Sequence, residues 1–293
     1  MVVIMSFEIV TDSSCNLTDE LIERYGLHIL SLMFRVDEKE YYSYEKGKKT
    51  ELKQFYTMMR NKAEITTTLI DINICTPIFE GLLKEGKDIL YIGFSSAISG
   101  TYQAAAMVLE DLKAAYPQRK ILSVDTLGAS LGEGLLVYHA ARLREQSQGI
   151  EQVYQWLLDN RLHLCHWFTV DDLFFLKRGG RVSASSAVLG TILGVKPIMH
   201  MDNEGRLILV GKVRGRQKSL DTLVDHMEQT AIEPQDQAVF ITHGDCIEDA
   251  EYVAQQVRKR LHVKDIVINY VDPVIGAHSG PGTLALFFLG TER

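Results

Sequence analysis

Residues 88–102 read DILYIGFSSAISGTY, an apolar run of strand length that leads into a turn rich in serine and bounded by two glycines. Residues 103–115 follow with the spacing of an amphipathic helix. The first N–H groups of a helix lack partners and carry partial positive charge, so a turn of this kind can bind a phosphate or a carboxylate. A serine is expected to cap the helix in any case, and capping alone explains the turn equally well.

The same alternation of strand and helix patterns extends on both sides of this stretch. The clearest predicted strands are Phe7–Val10, Ile89–Phe94, Ile121–Val124 and Trp167–Val170. Helix starts are predicted at a Thr50 cap, at Asp71, and at Asn16 or Thr18 before a helix that ends at Gly26. This rhythm predicts a parallel sheet with helices on both faces and ligand sites at the carboxyl ends of the strands.

The second half of the chain has a different pattern. Asn203-Glu204-Gly205 predicts the turn of a hairpin. Helices and strands are then predicted to alternate at about 217–230, 238–242, 247–261 and 266–269. A chain of 293 residues also exceeds the usual size of one core. We therefore predict two α/β domains, residues 1–160 with a parallel sheet and residues 161–293 with a mixed sheet, with a ligand between them.

Composition excludes several classes of protein. The net charge of -7 argues against nucleic-acid or anionic lipid surfaces as partners. The four cysteines are widely separated and form no CxxC pair, so we expect buried free thiols and no metal site. The first residues lack the features of a signal peptide, and no uncharged run approaches the ~20 residues of a membrane span. A cytoplasmic location is expected.

Three further turns and one short polar segment are candidates for binding, and each also has a simpler structural explanation. Thr11-Asp12-Ser13-Ser14 follows the first strand, where such residues commonly cap helices. Thr66-Thr67-Thr68 offers short hydroxyl side chains. Residues 177–183, KRGGRVS, place two arginines around glycines and suit an anion or a solvated helix end. His278-Ser279-Gly280-Pro281-Gly282 presents one histidine, which is more often structural than functional.

These segments do not form a recognisable catalytic set. The chain contains no Gly-x-Ser-x-Gly elbow, no GxxxxGK[ST] loop, no HExxH and no GxGxxG after a strand. Hydrolysis by such a serine, nucleotide hydrolysis, zinc proteolysis and dinucleotide binding therefore lack their usual components. Binding without catalysis is favoured.

Taken together, seven segments in this order resemble the DegV family of bacterial fatty-acid-binding proteins over nearly the whole chain. The segments are Thr11–Ser14, Thr66–Thr68, Ser95–Tyr102, Val170–Leu173, Arg178–Ser183, Lys212–Arg216 and His278–Gly282. The resemblance implies a two-domain α/β protein that encloses one long-chain fatty acid in an apolar tunnel, with no other cofactor and no catalysis of its own.

The resemblance also implies residues for the site. The carboxylate of the acid is expected to meet Thr67 and Ser99. Neighbouring candidates are Ser95, Ser96, Thr68 and His278. Some family members deliver the acid to a separate kinase, which phosphorylates the carboxyl group and gives an acyl phosphate for phospholipid synthesis. In that case the residues expected to dock the kinase or steady the phosphate are Arg178, Arg181, Arg214 and Arg216.

The chain departs from the family pattern next to the threonine position. The usual Thr-Ser-Gln-Pro is here Thr67-Thr68-Leu69-Ile70, so Leu69 and Ile70 are expected to narrow or line the pocket. The glycine-leucine after the Gly-Pro-Gly turn is also altered, to Thr283-Leu284. Apolar candidates for the tail, each of which ordinary core packing explains better, are Phe94, Ile98, Leu173, Leu189, Ile192 and Leu193.

Two other functions fit the same turns. A phosphotransferase or hydrolase would use His278 or His243 as base with a hydroxyl nucleophile, and would show turnover by the purified chain alone. A sugar-phosphate-binding regulatory protein would keep the anion-binding turns but have a small wet cleft in place of the tunnel.

Overall fold

A computed structural model of the chain describes residues 7–48, 50–182 and 194–293. The strands are β1 (Phe7–Asp12), β2 (His28–Leu30), β3 (Met33–Val36), β4 (Lys39–Tyr42), β5 (Ile65–Thr68), β6 (Asp88–Gly93), β7 (Ile121–Asp125), β8 (Leu164–Thr169), β9 (Val195–Met201), β10 (Leu207–Arg214), β11 (Ala238–His243), β12 (Asp265–Tyr270) and β13 (Leu284–Leu289). The α-helices are α1 (Asp19–Tyr25), α2 (Leu52–Arg60), α3 (Ile72–Lys84), α4 (Thr101–Ala115), α5 (Leu131–Glu145), α6 (Ile150–Asn160), α7 (Phe174–Arg178), α8 (Arg216–Thr230), α9 (Ile247–Leu261) and α10 (Pro273–Ser279).

The first half forms a parallel sheet in the order β2-β1-β6-β7. Its central strands β1 and β6 are almost wholly buried, and β6 is a nearly continuous apolar run, as expected where helices cover both faces. Thr18 caps α1, and Gly26 ends it in the left-handed conformation, as the sequence predicts. The predicted strands at the start of β1, in β6 and in β7 are confirmed.

Two predicted helix caps are wrong in detail. Gly100, and not a serine, is the N-cap of α4, although the Ser99 hydroxyl accepts a hydrogen bond from the Thr101 N–H at 3.2 Å. Glu51 occupies the cap position of α2, while the hydroxyl of Thr50 donates to the Ser43 carbonyl at 3.4 Å. Ser99 therefore bonds the first N–H of α4 from outside the cap position, whereas Thr50 bonds a neighbouring turn and not the end of α2.

The second half forms a six-stranded sheet in the order β10-β9-β8-β13-β11-β12. β11 and β12 are parallel, and the other neighbouring pairs are antiparallel, so the sheet is mixed. The predicted hairpin is confirmed, since β9 and β10 pair on either side of residues 202–206. The strand predicted at Trp167 begins three residues earlier, at Leu164. The predicted α/β class with a parallel and a mixed sheet is confirmed.

Helix α5 lies between the two large sheets and contacts strands of both. Nine of its fifteen residues are buried, which is typical of a helix enclosed on several sides. Two glycines allow this close packing. A methyl group at Gly132 would lie 2.1 Å from the Nε2 atom of His166, and one at Gly134 would lie 2.4 Å from the carbonyl oxygen of Cys15.

A small antiparallel sheet, β4-β3-β5, packs with α2 and α10 around its own apolar cluster. This cluster includes Phe34, Phe55, Tyr56 and Val274. The pairing of β3 with β5 places Thr67 opposite Phe34. The sheet thus holds the threonine run beside α10, the helix that carries His278.

The largest apolar cluster contains residues of both halves, from Phe7 to Phe287. The division into domains at residue 160 stays a prediction. Three of the four cysteines are buried as expected, whereas Cys246 is only half-buried. Within residues 7–48, 50–182 and 194–293, the helices are too short or too polar to cross a bilayer.

Candidate ligand-binding cavity

One cavity is lined by strand residues of the small sheet and of the six-stranded sheet, and by turns that follow strands of the parallel sheet. Its empty space is about 970 Å³, including the part open to solvent. The exposed lining residues are Thr68, Leu69 and Gly100, which mark the mouth of the cavity. Phe94, Phe168, Met201 and Phe287 belong to its buried interior. The lining therefore runs from an exposed mouth to a buried inner part that contains large apolar side chains.

Thr67, Ser99 and His278 are partly buried and line this cavity together. The Thr67 Oγ1 atom lies 2.8 Å from His278 Nε2, a hydrogen bond whose direction depends on the histidine tautomer. The Ser99 hydroxyl donates to Thr101 Oγ1 at 3.0 Å. Thr67 belongs to β5, Ser99 to the turn before α4 and His278 to α10, so three separate elements meet here.

His278 is held in a neutral state by its surroundings. Burial, together with the nearby guanidinium groups of Arg181 and Arg178, lowers the pKa of His278 to about 4. The backbone of Gly179 passes close to the ring, since a methyl group there would lie 2.1 Å from Nδ1. Asp272 caps α10 by accepting hydrogen bonds from the N–H groups of Val274 and Ile275, which fixes the helix that carries the ring.

Arg181 also lines the cavity. Its Nε donates to the Ile98 carbonyl at 3.1 Å, and its Nη1 donates to the Gly179 carbonyl. Burial lowers the pKa of Arg181 from its usual value. Arg178 does not line the cavity but donates to the Ala277 carbonyl at 3.3 Å, beside His278. The KRGGR turn therefore brings two cationic side chains to the Thr67–His278 pair.

The other predicted anion-binding residues lie elsewhere. The Ser95 hydroxyl donates to the Gly205 carbonyl at 2.9 Å, and the Ser96 N–H donates to Asp125 Oδ1 at 3.3 Å; neither residue lines the cavity. Arg214 is exposed at the end of β10. Arg216 pairs with Asp249, its Nη2 lying 2.7 Å from Oδ2.

Of the apolar residues predicted for a tail, Phe94 and Ile98 line the cavity, while Leu173 packs against the largest apolar cluster. Leu189, Ile192 and Leu193 lie outside the described residues, as does Ser183 of the KRGGRVS segment.

The inner part of the cavity also contains polar groups, most of which bond to the protein. The Ser130 hydroxyl donates to Asn16 and to Thr242, and the Thr283 hydroxyl donates to the Gly280 carbonyl at 2.7 Å. Ser279 differs, because its buried hydroxyl has no partner among the described residues. Sequence reasoning named its neighbour His278 and missed Ser279, although the adjacent position in the same turn was a signal.

The Thr11–Ser14 turn does not line the cavity but is hydrogen-bonded to the wall that carries Phe94. Asp12 accepts hydrogen bonds from the N–H groups of Ser14 and Phe94, at 3.0 and 3.1 Å, and from the Tyr91 hydroxyl at 3.3 Å. Burial raises the pKa of Asp12 to about 6. This carboxyl group joins the first strand–helix turn to the start of the serine-rich turn, and so positions Phe94 in the cavity wall.

The site has little capacity for acid–base catalysis. A pKa of about 4 makes His278 a weak base at neutral pH. His243 does not line the cavity; it accepts the Cys246 N–H at 3.2 Å, and burial lowers its pKa to about 4. Within the part of the chain that the structure describes, no three acidic, cysteine or histidine side chains form a metal-ligand cluster.

Comparisons with known proteins identify relatives of similar sequence and fold. A family model described as "Uncharacterised protein, DegV family" matches residues 6–291. A DegV domain-containing protein of Clostridium perfringens is 41% identical over 287 residues, which cover 98% of each chain. Among solved structures, a DegV family protein from Thermus thermophilus, described by its fatty acid binding, has a TM-score of 0.88 and 27% identity, covering 98% of this chain and 100% of that one. DegV from Bacillus subtilis, described as a fatty acid binding protein, has a TM-score of 0.83 and 26% identity, covering 98% and 100%.

Proposed function

This chain belongs to the DegV family, and we propose that it binds one long-chain fatty acid and performs no catalysis alone. The observation that carries the proposal is that one and the same cavity has hydroxyl groups near its mouth and large apolar side chains in its buried interior. Two family members of similar structure are described as fatty-acid-binding proteins. An amphipathic ligand with one charged end matches this gradient.

The carboxylate is proposed to lie between Thr67 and Ser99, within reach of Arg181. When His278 carries its proton on Nε2, that N–H donates to Thr67 Oγ1 and leaves the threonine hydroxyl free to donate to the carboxylate. Desolvating a carboxylate is costly unless hydrogen bonds compensate, and hydrogen bonds to a charged group are the strong ones. A neutral His278 therefore orients the donor without competing for the ligand's charge.

The tail is proposed to fill the inner cavity. A chain of about sixteen carbons, each given the ~30 Å³ that a water molecule occupies in the liquid, needs about 500 Å³. The empty space of about 970 Å³ includes the open mouth, so it is an upper limit for the tail, and the required volume lies below it. Burying each methylene contributes about 0.8 kcal/mol, so ~15 methylenes contribute about 12 kcal/mol before ordering costs are subtracted. The apolar tail supplies most of the affinity, and the hydroxyl groups fix its direction.

We further propose that the bound acid is presented to a partner kinase that phosphorylates its carboxyl group. The carboxylate end lies near the mouth, where a second protein has access. Arg178 and Arg181 border this end. Arg214, exposed at the end of β10, is proposed as a further cationic contact together with Arg216, which also pairs with Asp249. An Arg214→Ala variant that loads lipid and supports phosphorylation as well as the parent would contradict the role of Arg214.

Native mass spectrometry of protein freshly purified from a bacterial host tests the binding proposal. We expect a co-purifying acyl chain, and Thr67→Val and Ser99→Ala are expected to retain much less of it. Thr66→Val is the matched control, because Thr66 is exposed on β5 and does not line the cavity. Loss of a hydrogen bond to a charged group corresponds to about 1.5–3 kcal/mol, or roughly 10- to 150-fold in affinity.

Protein that carries no acyl chain and takes up none from added palmitate would refute lipid binding. Turnover of a phosphate ester by the chain alone would favour the alternative function as a phosphotransferase or hydrolase. Binding of a sugar phosphate with no lipid would favour a regulatory protein.

A further inference from the structure

Leu69 occupies an unusual place in the cavity lining. It follows directly after β5 and lies two residues from Thr67 in the chain. Its side chain lines the cavity, yet 50% of the residue remains exposed. The next residue, Ile70, is only 4% exposed and belongs to the core between α3 and α4. Leu69 is therefore anchored on its carboxyl side while its own side chain stands at the mouth.

The opposite wall at this point is the serine-rich turn. A methyl group at Gly100 would lie 3.5 Å from Leu69 Cδ2, so the leucine side chain extends over the backbone of that glycine. Gly100 directly follows Ser99. Leu69 thus lies across the mouth between the elements that carry Thr67 and Ser99, where the carboxylate is proposed to sit.

Among the exposed residues of the described lining, Leu69 is the one with an aliphatic side chain, since the others are Thr68 and Gly100. An exposed leucine gains from contact with any apolar group that covers it. With the carboxylate in its proposed place between Thr67 and Ser99, the nearest exposed aliphatic side chain for the first methylenes of the tail is Leu69. Resting on the proposed function, we propose that Leu69 closes over these methylenes and sets the rate at which the bound fatty acid leaves.

The physical reason is that release exposes two apolar surfaces together. The departing chain loses its contact with Leu69, and the leucine side chain returns to water. Glutamine at this position has a similar length but makes a poor apolar cover, and alanine removes most of the cover. Both changes are expected to accelerate release by about three- to tenfold, the equivalent of about 0.7–1.4 kcal/mol at 1.4 kcal/mol per tenfold.

The experiment measures the release of radiolabelled palmitate from the full-length loaded protein into an excess of serum albumin, which traps the free acid. The variants are Leu69→Gln and Leu69→Ala. Ile72→Gln is the matched control, because Ile72 is also 50% exposed and lies three residues away, but does not line the cavity. Circular dichroism and the thermal midpoint of each unloaded variant verify that it folds like the parent.

We expect faster release from both Leu69 variants and the parental rate from Ile72→Gln. Parental release rates for both Leu69 variants would overturn the inference while leaving fatty-acid binding intact. Equal acceleration by Ile72→Gln would also overturn it, because surface polarity rather than the mouth would then control release. If the parent itself takes up no palmitate, the proposed function fails and this inference fails with it.

Discussion

Replacing Gly134 with alanine tests whether α5 is fixed by its close contact with the first strand–helix turn. Gly81 provides the matched comparison, because it lies within α3 and a methyl group there meets nothing within 4 Å. Gly81→Ala is expected to stabilise the fold by about 0.5–1 kcal/mol, the usual advantage of alanine over glycine inside a helix.

Gly134→Ala gains the same helix propensity but places a methyl group 2.4 Å from the carbonyl oxygen of Cys15. Ordinary contact requires a separation about 1 Å larger, and the obstacle is backbone rather than a flexible side chain. Overpacking a core costs about 1–3 kcal/mol, and a contact of this kind belongs at the upper end. Subtracting about 1 kcal/mol of propensity from about 3 kcal/mol leaves a net loss of about 2 kcal/mol.

Urea unfolding of both variants, followed by circular dichroism, measures the two changes in the free energy of unfolding. The expected signs are opposite. Palmitate retention is expected to fall in Gly134→Ala as well, because the same helix begins beside Ser130, which lines the cavity. A Gly134→Ala protein as stable as the parent would refute the view that α5 is locked against this turn.

The remaining predictions concern the site. Gly179→Ala places a methyl group 2.1 Å from His278 Nδ1 and should therefore displace the ring. In a titration followed by native mass spectrometry, we expect it to reduce fatty-acid affinity about as much as His278→Ala does. Unchanged affinity would contradict the positioning role of Gly179. The pKa of His278 is about 4 in the folded protein and 6.5 in the unfolded chain, so the unfolded chain takes up the proton first as pH falls. Protonation of His278 therefore reduces the free energy of unfolding by up to about 3 kcal/mol between pH 6.5 and pH 4. The Asp12 carboxyl, whose pKa is raised to about 6, has the opposite effect and adds to the free energy of unfolding as pH falls. The contribution of His278 is therefore measured as the difference in urea unfolding between the parent and His278→Gln across this pH range. Parallel pH profiles of the two proteins would contradict it. Ser279→Ala removes a buried hydroxyl that has no partner within the described part of the chain, so the free energy of unfolding of the ligand-free protein, measured with urea, should rise by about 1 kcal/mol. A loss of stability would show that the hydroxyl already bonds to the protein or to an ordered water.

Much of the fold was predictable from the sequence because its elements have strong local patterns. Buried strands such as β6 are continuous apolar runs, and Thr18, Gly26 and Asp71 mark helix ends by local hydrogen bonding. The small sheet was not predicted. Its outer strand β4 is exposed throughout, so it carries no alternation of apolar and polar residues to reveal it.

The candidate site was predictable only through the resemblance. Hydroxyl-rich turns are common, and nothing local distinguishes Ser99, which lines the cavity, from Ser95, whose hydroxyl bonds to a distant carbonyl. The contact between Thr67 and His278 joins residues 211 positions apart. Such a contact depends on how the small sheet packs against α10, which the periodicity of either segment does not encode.

Thr67 and Ser99 belong to different parts of the fold, and this has a consequence for the whole molecule. Thr67 sits on the small sheet, which has its own apolar cluster, whereas Ser99 projects from the turn that follows the parallel sheet. A carboxylate hydrogen-bonded to both hydroxyl groups would act as a removable cross-link between these two parts. Delivery of the acid would then loosen the small sheet against the rest, and amide hydrogens of β3 and β5 would exchange faster in the emptied protein than in the loaded one.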